Sequence, residues 1–582
     1  MQLLKKYIKM QKTIKFQIHN HILAFYAILV VLISGCVSGQ LGKNNTAEYK
    51  NGMVVSAHPV ASQVGIDILK KGGNAIDAAV AVQFALAVVY PNAGNIGGGG
   101  FMVYRSAAGE INSLDFREKA ASGASRGMYL DADSNPIVDK SLYGHLAAGV
   151  PGSVEGMVEA HKKYGKLTWA QVLKPAVDLA QNGFKLTKRQ AAELNSLHQK
   201  FIQFNPSGTA FVNSENSWEE NDLLVQKELA NTLKLIQEKG RAGFYEGAVA
   251  DSVEAEMQRG KGIISKEDLK NYHATWRKPI VGVYRGHKII TMPPTSSGGI
   301  ALIQLLQSVE PYPLKRWGHN ADSTVQVIVE AERRVYADRA THLGDPDFYT
   351  VPQVQLLNPD YNKSRMSDFT WAMATPSSSV LAGEVKGSEH EETTHFSIVD
   401  REGNAVSITT TLNGSYGSLV AVKGAGFLLN NEMDDFSVKP GAPNMYGLVG
   451  GEANSIAPNK RMLSCMTPSI VEKDGQLFMV VGTPGGSTII TSVFQTILNV
   501  IDFDMPMQSA VAAKKFHHQW LPDEVYVEKD ALDSLTTVRL QSKGYKITPR
   551  GPIGRVDAIL KTRWNYYQGG ADPRGDDKAI GY

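Results

Sequence analysis

Two adjacent threonines, Thr393 and Thr394, stand where a small, polar and poorly patterned stretch (residues 377–391) gives way to the alternating run Thr394-His395-Phe396-Ser397-Ile398-Val399. A threonine hydroxyl is a weak nucleophile near neutral pH and needs a base. A threonine that heads a chain carries its own base, an α-amine with a pKa of about 8. Cutting the Glu392–Thr393 bond would create that amine, and a linker that ends where a core strand begins has the topology such a cut requires. The same local pattern also fits an ordinary strand that opens on two threonines.

Other short patterns fail on their context. His390-Glu391-Glu392-Thr393-Thr394-His395 nearly spells a zinc-protease motif, but its histidines are five apart, which on a helix separates them by roughly 140°. Gly123-Ala124-Ser125-Arg126-Gly127 matches a nucleophile elbow without the strand before it and the helix after it. Asp131-Ala132-Asp133-Ser134-Asn135-Pro136 resembles a calcium loop but has Pro136 in the glycine position and Leu142 in the bidentate glutamate position. Gly97 to Gly100 have neither the spacing nor the lysine of a phosphate loop, and fit a tight turn or close backbone packing.

The elements around these residues follow from periodicity. Met53 to Ala57 reads as a short strand, and His58 to Lys71 as a helix stopped by Gly72-Gly73. Asn74 can cap a second helix, Ala75 to Val89, whose apolar residues lie nearly all round, so it belongs in a core. Residues 150 to 275 are mostly helical, with amphipathic stretches at Trp169 to Asn182 and Glu228 to Gly240. Strands are predicted at Ile280 to Tyr284 and Lys288 to Met292, then a long helix over Asp322 to Ala340. Residues 377–391 read as an exposed linker. Beyond it, Thr394 to Val399 and Ala405 to Leu412 form a hairpin about Asp400 to Asn404, followed by strands at Ser469 to Val471 and Leu477 to Gly482 and a helix from about Ser487 to Ile501. Strands in one block flanked by helices predict sheets with helices on their outer faces.

The chain's 582 residues, 43% hydrophobic and 20% charged, can bury a large core. Of the net charge of +3, five lysines fall in the first 35 residues with no acid among them, which leaves the body near −2. That balance argues against a general nucleic-acid or anionic-membrane binder. The lysines precede the apolar run Ile22 to Ile33, too short for a comfortable span of about 20 residues, and so read as an export signal. Ile33-Ser34-Gly35-Cys36 resembles a lipobox, with Cys36 as the lipidated residue; a simple signal peptide is the alternative. Cys465 is the one other cysteine, so lipidation of Cys36 would leave no internal disulfide.

Several blocks in order resemble the γ-glutamyltransferase family. They are Thr393 to Asp400, Gly403 to Ser407, Thr411-Leu412-Asn413, Leu428 to Phe436, Pro458 to Ser464, Gly482 to Ser487, Phe516 to Pro522, and Ala571-Asp572-Pro573-Arg574 through Tyr582. Upstream, Asn95 to Phe101 and Leu114-Asp115-Phe116-Arg117-Glu118 fit its large subunit. The resemblance implies a four-layer αββα fold of the N-terminal-nucleophile hydrolase type, with no metal and no organic cofactor. It divides the chain into a signal (1–35), a linker (36–51), a large subunit (52–392) and a small subunit (393–582), the last two forming a heterodimer after self-cleavage at Glu392–Thr393. Thr393 would then attack γ-glutamyl amides such as glutathione, forming an ester that water, an amino acid or a peptide resolves.

The same resemblance implies the site residues. Thr411 would assist Thr393. Arg117 and Ser464 would hold the α-carboxylate, and Asn413, Glu432 and Asp435 the α-ammonium. Gly485 and Gly486 would supply oxyanion-hole amides, and Pro440 to Gly451, with Tyr446, a lid. Cys465 departs from the pattern: many members have a serine there, and what changes depends on whether the position works through its backbone or its hydroxyl. The expected place of work is outside the cytoplasm, periplasmic or cell-surface, anchored through Cys36. Rival expectations are a relative with another acyl donor, such as a cephalosporin acylase or a poly-γ-glutamate-processing enzyme, and a lipid-anchored binding protein that is never cut.

Overall fold

The computed structural model describes residues 47–213, 217–380, 393–442, 444–445 and 447–582, with Met1, Leu3, Leu4, Lys6 and Met10. Residues 1–47 and 48–582 are separate compact units. Among the described residues no helix is long and apolar enough to cross a membrane. The expectations for Cys36, Glu392, Tyr446 and most of the 377–391 stretch lie outside the described residues.

Fourteen strands of the larger unit build two seven-stranded sheets: β1 (Glu48–Tyr49), β2 (Met53–Ser56), β3 (Gly99–Arg105), β4 (Ile111–Asp115), β5 (Thr275–Arg277), β6 (Ile280–Tyr284), β7 (His287–Thr291), β8 (Thr394–Val399), β9 (Ala405–Thr411), β10 (Ser469–Lys473), β11 (Gln476–Gly482), β12 (Asp557–Lys561), β13 (Tyr567–Gly570) and β14 (Lys578–Gly581). One sheet runs β1-β13-β12-β11-β10-β7-β6 and the other β14-β2-β8-β9-β3-β4-β5, every neighbouring pair antiparallel. Side chains alternate along each strand, so Val54, Met102, Phe396 and Ile408 join one core cluster while Met53, Val55, Phe101 and Val103 join another with Ile470, Val480 and Ala558 of the opposite sheet. The helices α1 (Pro59–Lys70) and α2 (Ala75–Val89) contact the second sheet; α3 (Gly298–Val309) and α5 (Ile489–Ile501) contact the first, and α4 (Asp322–His342) packs on α3. This is the four-layer αββα sandwich.

α2 forms because Asn74 closes a capping box. Its Oδ1 accepts from the amides of Ile76 and Asp77 (both 3.0 Å) while Asp77 Oδ2 accepts from the Asn74 amide (2.9 Å), a pairing worth about 1 kcal/mol. All fifteen residues of α2 are buried. The same helix end is tied to the β8–β9 turn, where Asp400 Oδ2 accepts from the Ala75 amide (2.9 Å) and Oδ1 from the amides of Glu402, Gly403 and Asn404.

The hairpin at Asp400, the helices at 59–70, 75–89, 169–182, 227–239 and 322–342, and the strands beginning at Ile280 and Ser469 all form. Two expectations change. The 487–501 helix begins with a 3-10 turn, Gly486–Thr488. Ser377 and Val380 are not part of an exposed linker: they are buried in and after a short turn, Ser377–Ser379, and the Trp520 indole donates to both their carbonyls at 3.1 Å.

Glycines 97–100 sit where backbones nearly touch. A Cβ at Gly98 would lie 2.0 Å from the Thr411 carbonyl oxygen and one at Gly97 2.1 Å from that of Leu428. Gly98→Ala is expected to displace the end of β9 and lower Tm by several degrees, while Gly127→Ala, which meets nothing within 4 Å, stays within about 0.5 kcal/mol of the parent. Thermal unfolding of the two variants side by side checks this.

Candidate active site

The register of β8 on β9 sets Thr394 opposite Thr410, with Thr393 just before β8 and Thr411 the last residue of β9. Thr393 is 3% exposed and, with Thr411, lines a cleft enclosing about 530 Å³, part of it open to solvent. Thr411 is fixed through its backbone: Asn95 Nδ2 donates to its carbonyl (2.9 Å), and Asn95 Oδ1 accepts from the Gly98 amide (3.1 Å) and Ser153 Oγ (2.6 Å). The Asn413 amide donates to Thr411 Oγ1 (2.7 Å) as the chain turns away from β9.

Opposite signs of charge meet deeper in the cleft. Arg117 leaves the end of β4 fully buried, its guanidinium paired with Glu432 through one terminal nitrogen and with Asp435 through the other. Its Nε donates to the Met462 carbonyl and a terminal nitrogen to that of Leu463, both at 3.3 Å. Burial works against the charge, yet Glu432, Asp435 and Glu118 together hold Arg117 more firmly protonated than a free guanidinium. Burial likewise pushes Glu432 well above the carboxylate range and Asp435 upward, against the pull of Arg117. Glu118, 3.6 Å from Arg117, is pushed to about 7 by burial, with Arg117 opposing. Glu432 Oε2 has no hydrogen-bond partner among the described residues. An orphan acceptor on a buried carboxylate of the cleft is a seat for a cation.

Asn430 scaffolds this end. Its Oδ1 accepts from the Glu432 amide (3.0 Å) and the Gly149 amide (2.8 Å), and its Nδ2 donates to the carbonyls of Gly97 and Gly149. On the far wall, Ser464 receives at its carbonyl the Ser297 amide (2.8 Å), and Ser464 Oγ accepts from the Met466 amide (3.1 Å). Cys465 is buried and lines the cleft, and burial pushes its thiol upward. Gly485 and Gly486 have φ of +138° and +49°, conformations that favour glycine, and place Gly486 on the cleft where the 3-10 turn runs into α5. Backbone amides at such an end carry partial positive charge suited to an oxyanion.

Thr393, Thr411, Arg117, Asn413, Glu432, Asp435, Ser464, Cys465 and Gly486 therefore share one cleft, and Gly485 adjoins it. Within 440–451, Ala442, Asn444 and Leu448 to Gly450 form a wall, and Asn444 Nδ2 donates to Asp435 Oδ1 (3.2 Å). Arg339 also lines the cleft and was missed by sequence reasoning. It sits in α4 among Glu330, Glu332, Arg333, Arg334 and Asp338, a density of charge that reads as a solvated face although these residues are all buried. His395, the second histidine of the rejected zinc pattern, is wholly buried between the sheets and pushed down to about 3, its ring against Thr409 and Ser397.

The chain is similar to known proteins over most of its length. The family model described as Gamma-glutamyltranspeptidase matches residues 61–582. The glutathione hydrolase proenzyme of Escherichia coli (strain K12) is 46% identical over 535 residues, 92% of each chain. The crystal structure of cephalosporin acylase from Bacillus halodurans is similar with a TM-score of 0.80 at 25% identity, covering 94% of this chain and 98% of that one. A chain of Helicobacter pylori gamma-glutamyltranspeptidase is similar with a TM-score of 0.56 at 47% identity, covering 57% of this chain and 96% of that one.

Asp434, next to the ion cluster, bears on stability. Burial raises it to about 6 from a free value of 3.8, although Ser141 Oγ (2.6 Å) and the Met445 amide (2.9 Å) donate to it. The folded pKa lies above the unfolded one, so the protonated form is favoured: its stabilisation is complete below about 4 and is lost as pH rises through about 6. Asp434→Asn is therefore expected to gain on the parent between pH 4 and 7, by up to roughly 3 kcal/mol. Denaturant titrations of both across that window check it, and a difference that stays flat contradicts it.

Proposed function

The chain belongs to the gamma-glutamyltranspeptidase family, and from that premise we propose that Thr393, freed as an N-terminus by self-cleavage of the Glu392–Thr393 bond, is the nucleophile of its γ-glutamyl transfer and glutathione hydrolysis. The observation that carries this reading is one cleft lined by Thr393 and Thr411 together with the buried Arg117 guanidinium, the buried Glu432 carboxyl and the partly buried Asp435 carboxyl. A γ-glutamyl donor presents an α-carboxylate, an α-ammonium and a reacting amide, and the cleft offers a complement to each.

In this account the α-amine of Thr393 takes the hydroxyl proton as Oγ attacks the γ-carbonyl carbon. The carbonyl oxygen becomes an oxyanion facing the Gly485 and Gly486 amides. The C–N bond breaks, the proton passes to the leaving amine, and a γ-glutamyl ester of Thr393 stays behind. Water regenerates the enzyme as hydrolase; an amino acid or peptide amine regenerates it as transferase. The Thr411 hydroxyl, which accepts from the Asn413 amide, orients Thr393. The ammonium goes to Glu432 and Asp435, with Asn413 beside them, and the carboxylate to Arg117 and the Ser464–Cys465 turn. No metal or organic cofactor enters these steps.

Residues 52–392 and 393–582 would then be the two subunits of a heterodimer. Residues 1–35 would direct export and Cys36, followed by the 36–51 linker, would anchor the protein at a periplasmic or cell-surface membrane. Tyr446 would complete the wall formed by 442–450. Opposite buried charges in the cleft favour an amino-acid-headed donor over the acyl donors of a cephalosporin acylase.

Expression of residues 37–582 is expected to give two chains on a denaturing gel and release of anilide from a γ-glutamyl anilide. Thr393→Ala is expected to stay one chain and release none. A single uncut parent chain without release would overturn the reading.

A further inference from the structure

We propose that Arg339 is a second cation for the α-carboxylate of the γ-glutamyl donor, and so a determinant of donor class; this rests on the function proposed above. Arg117 alone is poorly supplied for that carboxylate. Its Nε is spent on Met462, one terminal nitrogen on Glu432 and the other on Asp435 and Leu463.

Arg339 is the reverse case. It lies near the end of α4, is 5% exposed, and lines the cleft together with Ser464 and Cys465. Its Nε donates to Ser297 Oγ (3.0 Å), the Cys465 thiol is a further side-chain partner, and among the described residues no carboxylate forms an ion pair with it. A guanidinium this buried ordinarily has a counter-charge, because burying an unpaired cation is costly. Asp435 feels its field but is held by Arg117. Arg339 is thus a buried cation with no carboxylate partner among the described residues, beside a cleft in which Glu432 Oε2 has no hydrogen-bond partner among them. A buried cation without a carboxylate partner and a buried carboxyl oxygen without a donor, in one cleft, suit a zwitterion.

Arg339 also braces the turn that meets the carboxylate. Its Nε donates to Ser297 Oγ, and the Ser297 hydroxyl and amide both donate to the Ser464 carbonyl. The neighbouring Cys465 thiol lies in the field of Arg339. A thiol is a weak donor, so the cradle at this position draws its strength from the guanidinium. On binding, the donor's ammonium draws Glu432 and Asp435 toward itself, and its carboxylate takes the place they leave on Arg117, bridged on the other side by the planar fork of Arg339.

The test pairs two donors with two variants of the processed enzyme. One donor is γ-glutamyl anilide; the other is 4-aminobutyryl anilide, which keeps the amine and the reacting amide but lacks the α-carboxylate. Arg339→Gln is expected to lower kcat/KM for the γ-glutamyl donor by about tenfold to a hundredfold, mostly through KM, and to lower it much less for the 4-aminobutyryl donor. Arg339→Lys, which keeps the charge and loses the fork, is expected to recover part of the KM. An equal loss with both donors would assign Arg339 to bracing the turn alone and overturn the proposal, as would no loss with either. The parent reading is scored separately, on the unsubstituted chain's self-cleavage and its release of γ-glutamyl anilide. Should Arg339→Gln stay uncut, Arg339→Lys carries the comparison, with the same two outcomes deciding.

Discussion

The cleft hangs on the antiparallel pairing of residues 394–399 with 405–411. That pairing lies inside a seven-stranded sheet, with β2 on one side and β3 on the other, so neither strand can slip without moving its neighbours. A slip of one residue would also turn Phe396 and Ile398 from the helix layer toward the other sheet. Asp400 locks the turn and reaches the first amide of α2; Asn95 and Gly98 lock the far end at the Thr411 carbonyl. Thr393 is thereby held at the head of a strand whose register is fixed at both ends, and a nucleophile needs that placement more than it needs any single contact.

Around that fixed point the cleft gathers charges of both signs. Arg117, Glu432 and Asp435 satisfy one another, and burial raises both carboxyl groups while their presence secures the guanidinium. Such a cluster discriminates by exchange: a ligand enters at low cost when it brings both a cation and an anion to replace the contacts it breaks. A ligand with one charge leaves a buried partner uncompensated. In the proposed function, selectivity for an amino-acid head group and the stability of the unliganded cleft have the same source.

Much of the scaffold was legible in the sequence because its signals are local. Asn74 three residues before Asp77 marks the start of α2, and period-two alternation about Asp400-Arg401-Glu402-Gly403-Asn404 marks the hairpin. The strands β12 to β14 carry no such mark. Tyr567–Gly570 contains two glycines and is a strand only because Asp557–Lys561 pairs with it. The site was legible only through resemblance, since Arg117 and Glu432 are 315 positions apart and no spacing rule joins them. Arg339 escaped even that, because a charged residue in a charged helix reads as solvated until the fold covers it.

The central claim, that Thr393 is the attacking group, is tested most directly by trapping its ester. The processed protein is mixed with a γ-glutamyl donor, quenched in acid within a turnover, and its chains are weighed and mapped by mass spectrometry. The account predicts a γ-glutamyl group on the chain that begins at Thr393, localised to that first residue. A γ-glutamyl group carried by any other residue, or an uncut chain that turns over the donor, would contradict it.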